Sequence, residues 1–359
     1  MRGSPLGAAI AWLLIVALAG AAGWIIQSGP GAIPQQGVRL AAAADDNPVY
    51  VKVEAGDNAA SIGARLESKG IIASGASFEM LARLSGAERR LAAGEYEFLA
   101  ATSAIDALAR IRDGLTSARV VAVPEGMRIE EIAALLERRG VVKAGDFLVA
   151  ANTIATTGTD IDADLLSSRP RASTLEGYLY PATYSFARSI SANEAVLSML
   201  KALSERLTPQ LRDEARKQGL TVHQVLILAS IVEREVVIPE ERPLIASVYR
   251  NRLFLEMPLQ ADPTVQYAIA ARPGNVVEFG YWKRFLSLQD LQFDSTYNTY
   301  VKKGLPPGPI ASPGMDSILA VIRPAKTDYL FFVARNDGSH AFTATFEEHQ
   351  RNVQRYQQP

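Results

Sequence analysis

The chain has 359 residues, 48% of them hydrophobic, and 37 basic against 38 acidic side chains give a net charge of −1. That length accommodates two or three domains, and the missing basic excess excludes nucleic acid as a partner, because neutralising phosphates requires one. With no cysteine, and only His223, His340 and His349 outside any H-x-x-x-H pair, disulfides, thiolate sites and a cysteine nucleophile are excluded and no metal or cofactor is expected; carboxylates, hydroxyls and amides remain for chemistry.

Between Arg2 and Arg39 there is no charged residue, and Leu6 to Ile26 is continuously apolar or small. About 20 such residues cross a hydrocarbon core. Small-residue cleavage sites at Ala17–Ala19 or Ala19–Ala21 would suit a signal peptide. The apolar run resumes at Trp24-Ile25-Ile26, however, which favours a retained anchor with an interfacial Trp24. The expected order is a cytoplasmic N-terminus (1–5), a transmembrane helix (6–26) and a Gly/Pro/Gln-rich linker (27–47), with the bulk exported.

A repeat follows. Val53-x-x-Gly56, Ile62, Leu66-Glu67, Gly70-Ile71-Ile72 returns as Val123-x-x-Gly126, Ile132, Leu136-Glu137, Gly140-Val141-Val142, a constant shift of 70 (Gly56 to Gly126, Gly70 to Gly140). Each copy reads as a strand, a Gly turn and a short amphipathic helix stopped by Gly. It is a generic strand–helix unit used twice, or it resembles the LysM fold, a wall-glycan-binding module with a Gly-Asp turn into its helix, as at Gly56-Asp57. Leu91 to Tyr96 reads as a turn into a strand and Ala104 to Gly114 as a helix, which makes 48–118 a small α+β domain.

Thr221 and Gln224 form a capping box opening a helix. The run Val225 to Val232 is apolar but for Ser230 and leads directly into Glu233. Burial disfavours the ionised form of a carboxyl, and an acid kept protonated near neutral pH is what a glycosidic leaving oxygen needs. Ala229 and Ser230, one turn back, would leave room beside it. Alternatively, Glu233 pairs with Arg234, Arg242 or Arg250 at the helix end. Gln260-Ala261-Asp262-Pro263-Thr264 places amide, carboxylate and hydroxyl beside a rigid turn. Ser295 to Tyr300 alternates aromatics with hydrogen-bonding groups, and Gly304 to Ile310 is too rich in Gly and Pro for helix or central strand.

Leu228 to Glu235, Gln260 to Thr264, Tyr297-Asn298-Thr299-Tyr300, Gly304 to Ile310 and Leu175 to Tyr184 together resemble the endolytic murein transglycosylases of the MltG or YceG-like family. The resemblance implies an α+β protein with a LysM-like subdomain (48–118), a catalytic domain (119–359) with its glutamate on a buried helix, and a single inner-membrane anchor with the bulk in the periplasm. It also implies cleavage within peptidoglycan glycan strands, leaving 1,6-anhydro-muramyl ends, alongside wall-synthesis enzymes. The family's catalytic glutamate falls on Glu233, with Gln260, Asp262, Thr264, Tyr297, Asn298, Tyr300, Glu176 and Tyr178 as substrate-binding residues. Ser312 stands where Asn often precedes the Pro-Gly. A two-carboxylate muramidase would pair Glu233 with Asp262, since Glu235, two residues on, points to another helix face. A glycan-binding scaffold without chemistry is the non-enzymatic alternative.

Overall fold

The computed structural model describes residues 48–154, 159–171 and 173–357; the expected cytoplasmic segment, anchor and linker lie outside them. Among the described residues no helix is long and apolar enough to cross a membrane. The architecture is α+β, with short strands joined in three antiparallel two-stranded ribbons.

In the first, β1 (Val49–Val53) is followed by α1 (Ala59–Ser68) and α2 (Gly75–Leu84), and then β2 (Gly94–Phe98) pairs back, Val49 opposite Phe98 and Val53 opposite Gly94. α3 (Ala104–Arg112) completes this part. α1 and α2 approach so closely that a Cβ on Gly63 would lie 2.5 Å from the carbonyl oxygen of Gly75. The second repeat copy has the same plan. β3 (Arg119–Ala122), α4 (Ile129–Arg138) and α5 (Ala144–Thr153) lead to β4 (Thr183–Phe186), with Arg119 opposite Phe186 and Ala122 opposite Thr183. The 70-residue repeat is therefore a strand–helix–helix–strand unit used twice, and the second helix and closing strand of each copy carry no obvious repeat in sequence.

The two copies bury their apolar faces in different places. Val51, Val53, Ile62, Leu66, Ile71, Phe78 and Tyr96 form a small core with α3. Val121, Val123, Ile132, Leu136 and Val141 enter a larger core with the helices that follow. Between them, the Glu95 carboxylate accepts from the Ser189 hydroxyl and, at 3.2 Å, from its amide.

The larger core is organised around α7 (Val222–Glu235), which follows α6 (Ala192–Arg206). The Thr221 hydroxyl accepts from the Gln224 amide at 3.2 Å and the Gln224 side chain accepts from the Thr221 amide at 2.9 Å, so the capping box forms. Val225 to Val232, apolar but for Ser230, is buried on every face, as a helix without a polar side requires. Around it pack α8 (Arg242–Phe254), α9 (Asp262–Ala270) and α10 (Met315–Ile322). Asp262-Pro263 is the first turn of α9 rather than a free-standing turn, because proline is tolerated where helix amides lack partners anyway. A ribbon of β5 (Phe331–Ala334) and β6 (His340–Thr343), backed by α11 (Phe346–Tyr356), closes the chain.

Candidate active site

The end of α7 carries two glutamates facing different ways. Glu233, with a side chain 8% exposed, accepts from the Gly314 amide at 3.0 Å through Oε2, while Oε1 lies 3.4 Å from Arg242 Nη2. Gly314 is the N-cap of α10, so this carboxylate caps a helix N-terminus and pairs with a guanidinium. Glu125, from the loop after β3, presses against Gly314 so closely that a Cβ there would collide with it. Burial and the Glu233 charge push the Glu125 carboxyl above its usual range.

Glu235 faces a cleft of about 460 Å³ lined also by Arg252, Leu259, Gln260, Asp262, Tyr300, Phe332, His340 and His349. Burial pushes its carboxyl up to about 7, and the charge of Asp262 adds to the rise, whereas Tyr249, Arg234 and Arg252 oppose it. The Tyr249 hydroxyl donates to Glu235 Oε1 at 2.7 Å. The acid with the proton affinity expected of a general acid is thus two residues beyond Glu233. The turn of about 200° between positions i and i+2 separates them, but it is Glu235 that the cleft receives.

The expected substrate residues divide into three sets. Gln260, Asp262 and Tyr300 reach the cleft with Glu235; the Tyr300 hydroxyl donates to Asp262 Oδ1 at 2.6 Å. Gln260 has a left-handed backbone (φ 51°), and its side-chain oxygen accepts from Arg252 Nη1 at 3.2 Å. Arg252 also donates to the carbonyls of Leu259 and Leu330, which fixes the cleft floor.

Tyr297 and Glu176 meet elsewhere, in a cavity of about 380 Å³ with Tyr267 and Pro307 to Pro309. Glu176, 2% exposed, accepts from the Ile129 amide at 3.1 Å and from Gly177, capping α4 from outside the helix. Burial, with Glu130 nearby, raises its carboxyl to about 8.

Tyr178, Thr264 and Asn298 do not reach solvent and hold the framework instead. The Tyr178 hydroxyl lies 2.9 Å from His223 Nδ1, and the other nitrogen of that ring is 3.1 Å from the Pro307 carbonyl. Thr264 donates to the Ala261 carbonyl at 2.7 Å and lies 2.9 Å from the Thr299 hydroxyl. The Asn298 amide donates to the carbonyls of Leu291 and Phe293 while its oxygen accepts from Tyr300 N. A polar residue in a motif read as a sugar contact is here a clip for a loop, because buried backbone groups need partners. Ser230 likewise leaves no space beside a carboxyl; its hydroxyl accepts from the Ile310 amide at 3.0 Å and pins the Gly304–Ile310 loop. Ser312 is buried, its backbone bonded to Gly126 and Met127.

Sequence reasoning missed Arg252, His340 and His349 as cleft residues, and Tyr249 as the buried donor to Glu235. The histidines were visible as two of three in the chain, whereas Tyr249 and Arg252 lie in a helix of mixed polarity, Arg242–Phe254, where neither stands out. The YceG-like family model matches residues 51–355. An endolytic murein transglycosylase of Bacillus subtilis (strain 168) is 31% identical over 315 residues, covering 86% of this chain and 84% of its own. One of Streptococcus pneumoniae serotype 2 is 31% identical over 329 residues, and the match covers 85% of this chain but 58% of that longer relative. A crystal structure of a yceG-like protein from Listeria monocytogenes matches with a TM-score of 0.55 and 33% identity, over 86% of this chain and 99% of that one.

Proposed function

The chain belongs to the YceG-like family, and from that membership we propose an endolytic murein transglycosylase whose proton transfers run through Glu235 rather than Glu233. The observation that carries the assignment is that Glu235 shares its cleft with Gln260, Asp262 and Tyr300. Glu233 is instead held by Arg242 and the Gly314 amide.

In the reaction, protonated Glu235 gives its proton to the glycosidic oxygen as the bond to the muramic C1 breaks. The resulting carboxylate takes the proton from the same sugar's C6 hydroxyl, whose oxygen closes on C1 to make the 1,6-anhydro end. Proton and charge balance, no water enters, and one carboxyl serves twice. A carboxyl pushed up to about 7 suits both halves near neutral pH. Asp262, held by the Tyr300 hydroxyl, orients substrate at the cleft mouth rather than attacking C1. Arg252 and Gln260 fix the floor on which a sugar rests.

Two further parts of the reading rest on the sequence. The apolar 6–26 run supports a single inner-membrane anchor, with residues 48–357 in the periplasm close to nascent strands and wall-synthesis enzymes. The strand–helix–helix–strand plan of 49–98 supports a LysM-like glycan-binding role for residues 48–118. The decisive experiment is mass spectrometry of product ends from purified glycan with wild type, Glu235→Gln and Glu233→Gln. Anhydro ends from wild type and Glu233→Gln, with none from Glu235→Gln, are expected. Reducing ends from wild type would establish hydrolysis, and full activity of Glu235→Gln would remove the assignment.

A further inference from the structure

Tyr249 lies in α8 with its ring 1% exposed, edge-on to Phe332 at 5.9 Å and an interplanar angle of 85°. Its hydroxyl donates to Glu235 Oε1 at 2.7 Å from behind the cleft, whose lining includes Glu235 but not Tyr249. A phenol offers a single donated proton, so the bond has a direction as well as a strength. We propose that Tyr249 is a positioning residue for the transglycosylase reaction, selecting Oε2 of Glu235 as the oxygen that carries and delivers the proton. The inference rests on the reading of Glu235 as the acid.

The argument is one of lone pairs. A carboxylic acid has one carbonyl oxygen and one hydroxyl oxygen, and the carbonyl oxygen is much the better acceptor. With Tyr249 fixed by packing, its O–H keeps Oε1 as the acceptor in both protonation states. The proton of Glu235 is therefore confined to Oε2. After transfer, the same bond stabilises the new carboxylate, because a hydrogen bond strengthens when its acceptor becomes charged. Tyr249 cannot itself supply the proton, since burial and the Glu235 charge hold its phenol well above the usual range.

Other charged and titratable groups act on the same carboxyl. Arg234 adjoins it on α7, Arg252 comes from α8 and Asp262 from α9. The Tyr300 hydroxyl, His340 of β6 and His349 of α11 line the same cleft. Asp262 opposes ionisation, and the two arginines favour it. Among the described residues, Tyr249 makes the hydrogen bond that distinguishes one Glu235 oxygen from the other.

Removing the bond should make Glu235 hold its proton more tightly and on either oxygen. In Tyr249→Phe, the alkaline limb of kcat/KM should move up by about one pH unit. At neutral pH kcat should fall about tenfold, since proton delivery loses its orientation and the return step loses its base. Product ends should remain anhydro. Replacing Tyr249 by a ring-fluorinated tyrosine, a stronger donor of nearly the same shape, should move the limb the other way. That second arm keeps the test decisive even if Tyr249→Phe folds poorly.

The experiment is the pH dependence of kcat and kcat/KM on purified glycan for wild type, both Tyr249 variants and Glu235→Gln, each checked by thermal unfolding. Limb shifts of opposite sign in the two Tyr249 variants support the proposal. An unmoved limb in both, with Glu235→Gln inactive, overturns the Tyr249 role and leaves Glu235 standing. Full activity in Glu235→Gln overturns the premise and the inference with it.

Discussion

Glu233 and Glu235 show how much a helical position can hide when the helix is apolar all round. From Val225 to Val232 every residue is buried, so no polar stripe marks which side of α7 meets the cleft. The apolar run identifies a buried helix with an acid at its end, and the i to i+2 rule separates two faces without ranking them. What ranks them is the rest of the molecule: Arg242 and Gly314 hold one carboxylate, and the cleft takes the other. Glu235→Gln should therefore lower kcat by at least about 10²-fold, the scale of a lost general acid. Glu233→Gln should retain anhydro product while losing about 1–3 kcal/mol of stability, because it leaves a largely buried Arg242 without its anionic partner. Urea unfolding beside the product assay separates the two outcomes.

At the scale of elements, legibility followed the range of the interaction. The Thr221–Gln224 box and the strands β1 and β3 announce themselves within a few residues, and all form. β4 does not, because Thr183 to Phe186 pairs with a strand some 60 residues earlier and lies in a segment that reads as a motif. Glu176 was missed as a cap for the same reason: its acceptor role toward Ile129 joins residues 47 apart. That cap has a pH signature. Its folded carboxyl is raised to about 8, above its usual 4.5, so the native state binds the proton more tightly than the unfolded chain. Stability from this group is then fully present below about pH 4.5 and declines as pH rises toward 8, with Glu235 adding to the fall up to about 7. Glu176→Gln keeps an acceptor for Ile129 without a buried charge, so it should flatten that decline; urea midpoints at pH 5 and pH 8.5 give the slope. Asn298→Ala should cost about 1–3 kcal/mol at either pH, because the carbonyls of Leu291 and Phe293 lose their donors.

Across the whole molecule, one repeated unit serves two cores. Leu66 and Leu136 occupy equivalent places in the two copies, and both are fully buried. Leu66 packs in the small core with Ile62 and Phe78, whereas Leu136 packs in the core that supports α7 and the cleft. Truncating either to Ala should cost about 2–5 kcal/mol within its own core, the lost transfer energy plus a cavity. The consequences should differ. Leu136→Ala should lower the temperature at which cleavage is lost, because the helix bearing Glu235 depends on that core. Leu66→Ala should lower an earlier melting step and leave cleavage of short glycans at the wild-type rate below it, since the two apolar cores are separate and polar bonds such as Glu95 with Ser189 and Arg188 with the Ser117 carbonyl run between them. Calorimetry combined with activity at each temperature tests this. A single transition shifted equally by both substitutions, with cleavage lost in step, would mean that the two copies fold as one unit and that the cleft draws its stability from both.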